Sequence, residues 1–251
     1  MNTTTIAVDD IRPIDRCEAE TLATNENGRM LELLRTLSDA DWMKPTDCTA
    51  WDVRAMAGHV LGGMEGFCST RRLVHLMRIA KKEAGKGSFV DAMTRVQVRE
   101  RAALSNADLL GHFAEAGPRS ARFRARVPAL FRAVPMKQEL LSGATESWKM
   151  GYLLETILTR DTWMHRVDIA RATDRELVLT ADHDGRIVAD AVAEWARRHG
   201  ESFTLELSGA AGATFTQGTN GAAISLDAVE LCRIFSGRAT GTGLLTQEVP
   251  F

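Results

Sequence analysis

The chain has no paired cysteines, no excess of either charge and no long apolar run. Cys17, Cys48, Cys68 and Cys232 are scattered over 251 residues with no C-x-x-C pair among them, which argues against a disulfide framework and against a thiolate zinc knuckle. Any metal site must therefore draw on His, Asp and Glu. A formal charge of -2 offers no basic field to nucleic acid or to an anionic membrane. No stretch approaches the roughly 18 apolar residues of a membrane span, and "MNTTTIAVDD" lacks the charged and apolar regions of a signal peptide. The expected location is the cytoplasm, with no nucleic-acid or membrane partner. What remains is an ordinary soluble composition, 45% apolar and 25% charged, long enough for one large or two modest domains.

Helical periodicity dominates the first two thirds. From Arg16 to Leu37 apolar residues recur at Leu22, Met30, Leu33, Leu34 and Leu37 before "SDADWMKPTDCTAW" breaks the pattern. A second helix starts near Thr49 or Asp52, with Val53, Met56, Val60, Met64 and Phe67 as its core face. It is expected to bend near Gly62-Gly63, continue into "RRLVHLMRIAKK" and close at Gly85 and Gly87. Residues 89–134 read as one or two further helices, around Leu104, Leu109, Leu110 and Phe113, interrupted at "AGP". "VPMKQELLSGATESWKMG" reads as a loop, and a long helix follows to about Ala172. Four such helices suggest an antiparallel bundle.

After Thr180 the pattern changes. "GRIVADAVAEWARRHG" is a helix stopped by Gly200, followed by a strand, a hairpin turning at Asn220-Gly221, and a short helix with Asp227 and Glu230 in capping positions. The expected fold is α+β, a helical bundle over residues 1–178 followed by a small α+β unit over 179–251.

The candidate site lies in "TRDTWMHRVDIARA", residues 159–172. At 100° per residue, Asp161, His165 and Asp168 share one stripe with apolar Leu158, Ile169 and Ala172. Carboxylates buried there need a cation, at a cost of several kcal/mol each without one. Asp161 and His165, four apart, can converge on one ion. His59 is the best third ligand, because its helix neighbours are mostly small, among them Ala55, Gly62, Gly63 and Gly66. Such a set leaves coordination positions open, as in catalytic zinc sites. Asp168, a turn further on, is placed to orient a ligand histidine or a substrate.

"DWMKPTDCTAWDVRAMAGHVLGG" resembles the N-terminal signature of the mycothiol-dependent maleylpyruvate isomerase family, a metal-binding branch of the DinB-like four-helix bundles. The matching residues are Trp42, Pro45, Thr46, Cys48, Trp51 and His59. "RDTWMHRVDIARAT" resembles the family's second segment, in which an acidic residue and a histidine complete a metal triad. The resemblance maps that triad onto His59, Asp161 and His165, with aspartate where the isomerase proper has glutamate. The C-terminal "LELSGAAGATFTQGTNGAAISLDAVELCRIFSGRATG" resembles the family's second, sterol-carrier-like domain.

The resemblance implies a divalent-metal enzyme, zinc being the expected ion, that uses mycothiol as a nucleophile toward a small, electrophilic and possibly carboxylated substrate. Isomerase and S-transferase chemistry both fit, in a monomer or a homodimer. Arg238, in the "SGR" turn, is the expected carboxylate clamp. The run Arg119, Arg122, Arg124, Arg126, Arg132 and Lys137 holds no acid and reads as an anion funnel or, more simply, a solvated face. Cys48 lacks a partner base and reads as packing. Two alternatives remain: a zinc-dependent hydrolase, for which Glu65 would be a poorly placed base, and a ligand-binding protein with a structural metal.

Overall fold

A computed structural model describes residues 5–251. Strand β1 (Thr5–Ala7) precedes helices α1 (Arg16–Arg35), α2 (Val53–Gly66), α3 (Thr70–Ala84), α4 (Phe89–Arg99) and α5 (Asn106–Arg126) and a single turn, α6 (Ala129–Arg132). There follow β2 (Pro135–Glu139), β3 (Thr145–Lys149), a turn α7 (Met150–Tyr152), a π-helical segment (Leu153–Ile157) and α8 (Leu158–Thr173). The chain ends in α9 (Asp184–His199), β4 (Phe203–Ser208), β5 (Thr214–Gln217), β6 (Ala222–Asp227) and α10 (Ala228–Phe235). The architecture is α+β, as the periodicities predict. No described helix is long and apolar enough to cross a membrane.

Residues 16–134 and 150–177 form one compact unit. In it α1, α2, α5 and α8 pack as a four-helix ring, each against two others, and α3 and α4 pack together beside α2. The core comprises Met30, Leu33 and Leu34 of α1, Val53, Met56, Val60 and Met64 of α2, Leu109 and Phe113 of α5 and Ile169 of α8. Three expectations are corrected. The break after α2 falls at Phe67–Ser69 and not at the glycine pair, because Ser69 caps a new helix by accepting from the Arg72 N–H. Residues 89–134 are divided at Glu100–Ser105, where Ser105 and Asp108 form a reciprocal capping box. "AGP" interrupts nothing: α5 runs through Pro118, and at Gly117 the close approach of α1 lets Asn27 donate to the Gly117 carbonyl at 2.9 Å.

The corner between α1 and α2 is tied to the end of α8 by Asp41. Its carboxylate accepts from the Ser38 N–H (2.9 Å) and hydroxyl (2.8 Å), from Lys44 (2.8 Å) and from Arg175 (2.6 Å). Lys44, then Arg175 and Ser38, hold its pKa far below the ordinary carboxylate range. A pKa depressed on folding adds stability that is complete above the unfolded value of about 4 and is lost as pH falls through the folded value. Asp41→Asn is therefore expected to reduce stability at neutral pH and to flatten the acid side of the stability profile in urea titrations from pH 7 down to pH 3.

The second unit comprises the described residues 5–15, 135–149 and 178–251. Its sheet has the order β1-β5-β4-β6, with β4 antiparallel to β5 and parallel to β6, and β1 parallel to β5. The expected hairpin at Asn220-Gly221 is corrected. Asn220 does turn with φ 58°, but β6 pairs with β4 and not with β5. Gly221 is required there because a Cβ would overlap the backbone of Ser202. The stretch expected to be a loop is the hairpin β2–β3, paired from Pro135↔Lys149 to Glu139↔Thr145. It is held from afar: Arg198 of α9 grips Glu146 at 2.6 and 3.1 Å, and Glu248 accepts from the Leu141 and Ser142 amides. Trp195 fills the core between Phe203 and Phe235.

Candidate metal centre

The run from Pro45 to Asp52 folds onto itself before α2 begins. The Thr46 N–H and hydroxyl both donate to the Trp51 carbonyl (3.3 and 2.9 Å), the Trp51 N–H donates to the Cys48 carbonyl (2.8 Å), and the Val53 N–H reaches back to Lys44. Asp52 caps α2 by accepting from Ala55 at 2.7 Å. This closed turn sets the Trp51 ring 5.0 Å from the ring of His59 and 6.0 Å from that of His165, as one wall of the site.

His59 on α2 and Asp161 and His165 on α8 meet at one point. His59 Nε2 lies 3.7 Å from one Asp161 oxygen, and His165 Nε2 lies 3.4 Å from the other. Ligand atoms on a tetrahedral zinc at about 2.0–2.1 Å stand about 3.3–3.4 Å from one another. The two histidine–carboxylate separations are close to that spacing, and one ligand atom from each of the three side chains lies within 4.8 Å of the others.

Both histidines are oriented from behind. His59 Nδ1 donates to Gln97 Oε1 of α4 at 2.8 Å, and His165 Nδ1 donates to Asp168 Oδ2 at 3.2 Å. Each ring thereby keeps its Nε2 lone pair for the common point, the arrangement that fixes metal-binding tautomers. Asp168 is fully buried and belongs to this supporting layer. Burial opposes the charge of Asp161, but His165 and His59 outweigh it and hold its pKa well below the usual range. Burial likewise pulls the pKa of His165 down, and Asp161 and Asp168 together overcome this and raise it to about 9. The negative field of the two carboxylates therefore favours positive charge at this point. The Asp161 side chain is 31% exposed, so one side of the cluster is open.

In the sequence Gln97 belongs to no motif, and only the glycines of α2 that admit it carry a signal. A Cβ on Gly62 would stand 2.5 Å from Gln97 Cβ and 3.0 Å from its Cα. The small face of α2 is therefore taken up at Gly62 by α4 and at Gly66 by Leu76 of α3. Gly62→Ala is expected to force α2 and α4 apart. Gln97→Leu keeps the packing and removes only the acceptor, so it is expected to weaken metal affinity about 10- to 100-fold, as losses of outer hydrogen bonds do, in a competitive chelator titration.

Cys48 also comes within 4.8 Å of a ring nitrogen of His165 and a carboxylate oxygen of Asp168. Glu65 is occupied by Arg101 (2.5 Å), His112 (3.0 Å) and Arg72 (3.3 Å). Although burial pushes its pKa up, Arg101 above all brings it below the usual value, which leaves no general base there for hydrolysis. Arg238 follows α10 in the second unit, half-buried, its N–H donating to the Arg233 carbonyl at 2.8 Å.

A helical bundle that gathers two imidazoles and a carboxylate from two helices, beside an open face, offers a donor set that suits a divalent ion. Residues 23–170 match the family described as "Mycothiol maleylpyruvate isomerase N-terminal domain", and the chain belongs to that family. Its fold is similar to a crystal structure of the mycothiol-dependent maleylpyruvate isomerase, with 18% identity over 98% of each chain and a TM-score of 0.56. A histidine-to-alanine mutant of that isomerase is similar at 16% identity over 94% of this chain and 93% of the other, again with a TM-score of 0.56. No curated protein matches the chain in sequence.

Proposed function

We propose that the protein is a divalent-metal enzyme that uses mycothiol as a nucleophile toward a small electrophile, with isomerisation about a conjugated double bond as the favoured reaction. The observation that carries this is the convergence of His59 Nε2, His165 Nε2 and an Asp161 carboxylate whose exposed side leaves room for a fourth ligand. Family membership supports the thiol and the isomerase class. Zinc suits two nitrogens and an oxygen, and such a set also accepts other divalent ions. His59, Asp161 and His165 would hold the ion, which when bound supplies a seat where a thiol is held as thiolate at neutral pH.

The chain's own residues do the rest. A free thiol of pKa about 8.5 is only about 3% thiolate at pH 7. Full deprotonation offers roughly a thirtyfold gain, yet lowering the pKa by about three units removes a similar factor of nucleophilicity at a Brønsted slope near 0.5. The advantage must therefore come from position, for which effective molarity contributes up to about 7–11 kcal/mol. Gln97 and Asp168 fix the two imidazoles, and Trp51 walls the site from water. In an isomerase the sulfur adds to the cis double bond conjugated to a carbonyl, the resulting single bond turns, and expulsion of the thiol restores the double bond in trans. In the proposal Arg238 supplies a guanidinium fork for a carboxylate.

Cobalt-substituted protein tests this reading. Addition of mycothiol is expected to produce a sulfur-to-cobalt charge-transfer band, and a protein that binds cobalt but gives no spectral response to the thiol contradicts the assignment.

A further inference from the structure

Of the six cations between Arg119 and Lys137, Arg124 on α5 is the one buried in the bundle, only 6% exposed. Its Nε and Nη2 both donate to the Leu154 carbonyl (2.9 and 2.5 Å), and Nη2 also donates to the Thr159 hydroxyl (2.9 Å). Leu154 lies in the π-helical segment that leads into α8, a local widening that often accompanies functional sites. All three hydrogen bonds go to neutral oxygens, and among the described residues Nη1 has no partner.

Arg124 lines a cleft together with Asp161, Asn27, Ser120, Thr162 and Gly63. The cleft measures about 290 Å³ counted out to open solvent. Its narrow interior has room for about one water-sized group, such as one carboxylate oxygen, not a whole substrate.

The charges decide what it takes. Burial and the neighbouring charge of Arg132 pull the Arg124 pKa down to about 10, opposed by Asp161, so the guanidinium is charged at neutral pH. Once Asp161 is committed to a divalent ion, Arg124 is left as a buried cation with no anion of its own, a costly state. An anion entering the cleft relieves it.

We propose that Arg124 is the carboxylate-binding residue of the electrophile subsite: one carboxylate of the substrate sits on Nη1 in the cleft beside Asp161, and the rest of the molecule extends outward past the metal centre. The role as an electrophile subsite rests on the proposed function; the carboxylate site itself does not. It also places a clamp within the bundle, independent of Arg238.

The test is calorimetric titration of the full chain, metal-free and zinc-loaded, with succinate as the anionic probe and succinamide as its uncharged control. Succinate is expected to bind wild type, more tightly in the zinc-loaded form, and succinamide is not. Arg124→Gln is expected to weaken succinate binding at least about tenfold, the loss of one charge-assisted hydrogen bond. Should that variant not fold, Arg124→Lys decides: its compact ammonium keeps the charge but not the fork, and binding is expected to weaken while metal content holds. No succinate binding by wild type, equal binding of succinamide, or wild-type affinity in a folded variant overturns the proposal. If succinate binding depends on Arg124 while the cobalt protein ignores mycothiol, the thiol-enzyme reading fails and the carboxylate site stands.

Discussion

His59→Ala is expected to empty the metal centre and leave the fold standing. Loss of an outer hydrogen-bond partner already costs about 10- to 100-fold in metal affinity, so removal of one of only three protein ligands is expected to cost at least about a hundredfold, with activity falling in step. The fold should survive because His59 is not a core residue: its ring meets Gln97, Trp51 and the open cluster, while the core of α2 is made by Val53, Met56, Val60 and Met64. Asp161 also keeps His165 as a partner. Metal analysis after gel filtration, paired with a urea titration of the same sample, separates the outcomes. A variant that loses metal and remains folded supports a catalytic centre, whereas one that unfolds with its metal is what a structural zinc requires.

Glu26→Ala is expected to be the most destabilising single change in the bundle. Glu26 on α1 is completely buried and receives two parallel hydrogen bonds from Arg166 of α8, at 2.7 and 3.1 Å. Removing one member of a buried ion pair costs about 3–5 kcal/mol, a large share of the roughly 5–15 kcal/mol that separates folded from unfolded domains. Because α8 also carries Asp161 and His165, metal affinity should weaken along with stability. The exposed pair Glu83–Arg99 has similar geometry, 2.7 and 2.9 Å, but lies in solvent, and Glu83→Ala is expected to move the urea midpoint far less. Urea midpoints of the two variants provide the comparison, and equal shifts would contradict the role given to burial.

How much of this was legible in the sequence depended on distance along the chain. Asp161, His165 and Asp168 lie within eight residues, and helical geometry alone sets them on one stripe. The capping roles of Asp52 and Asp227 are local as well, and so is the left-handed Gly200 that ends α9. Gln97 is 38 residues from His59 and belongs to no pattern, so only the packing of α4 on the glycine face of α2 reveals it. The hairpin β2–β3 reads as polar loop because the residues that secure it, Arg198 and Glu248, lie more than 50 positions away in the chain. Strand β1 pairs with β5 across some 200 residues, and β6 bypasses its neighbour β5 for β4, a choice that turn chemistry at Asn220 cannot foretell. Within the arginine run, every member looks alike on paper. Only the face that α5 turns inward singles out Arg124.

Two imidazoles and one carboxylate are expected to hold a single ion with a seat left for sulfur. X-ray absorption at the zinc edge of the loaded protein, before and after addition of mycothiol, addresses this directly. The account predicts nitrogen and oxygen ligands alone at about 2.0–2.2 Å in the thiol-free protein and one new sulfur at about 2.3 Å afterwards. A sulfur ligand already present without the thiol would place the ion on the Cys48 side of His165 and contradict it.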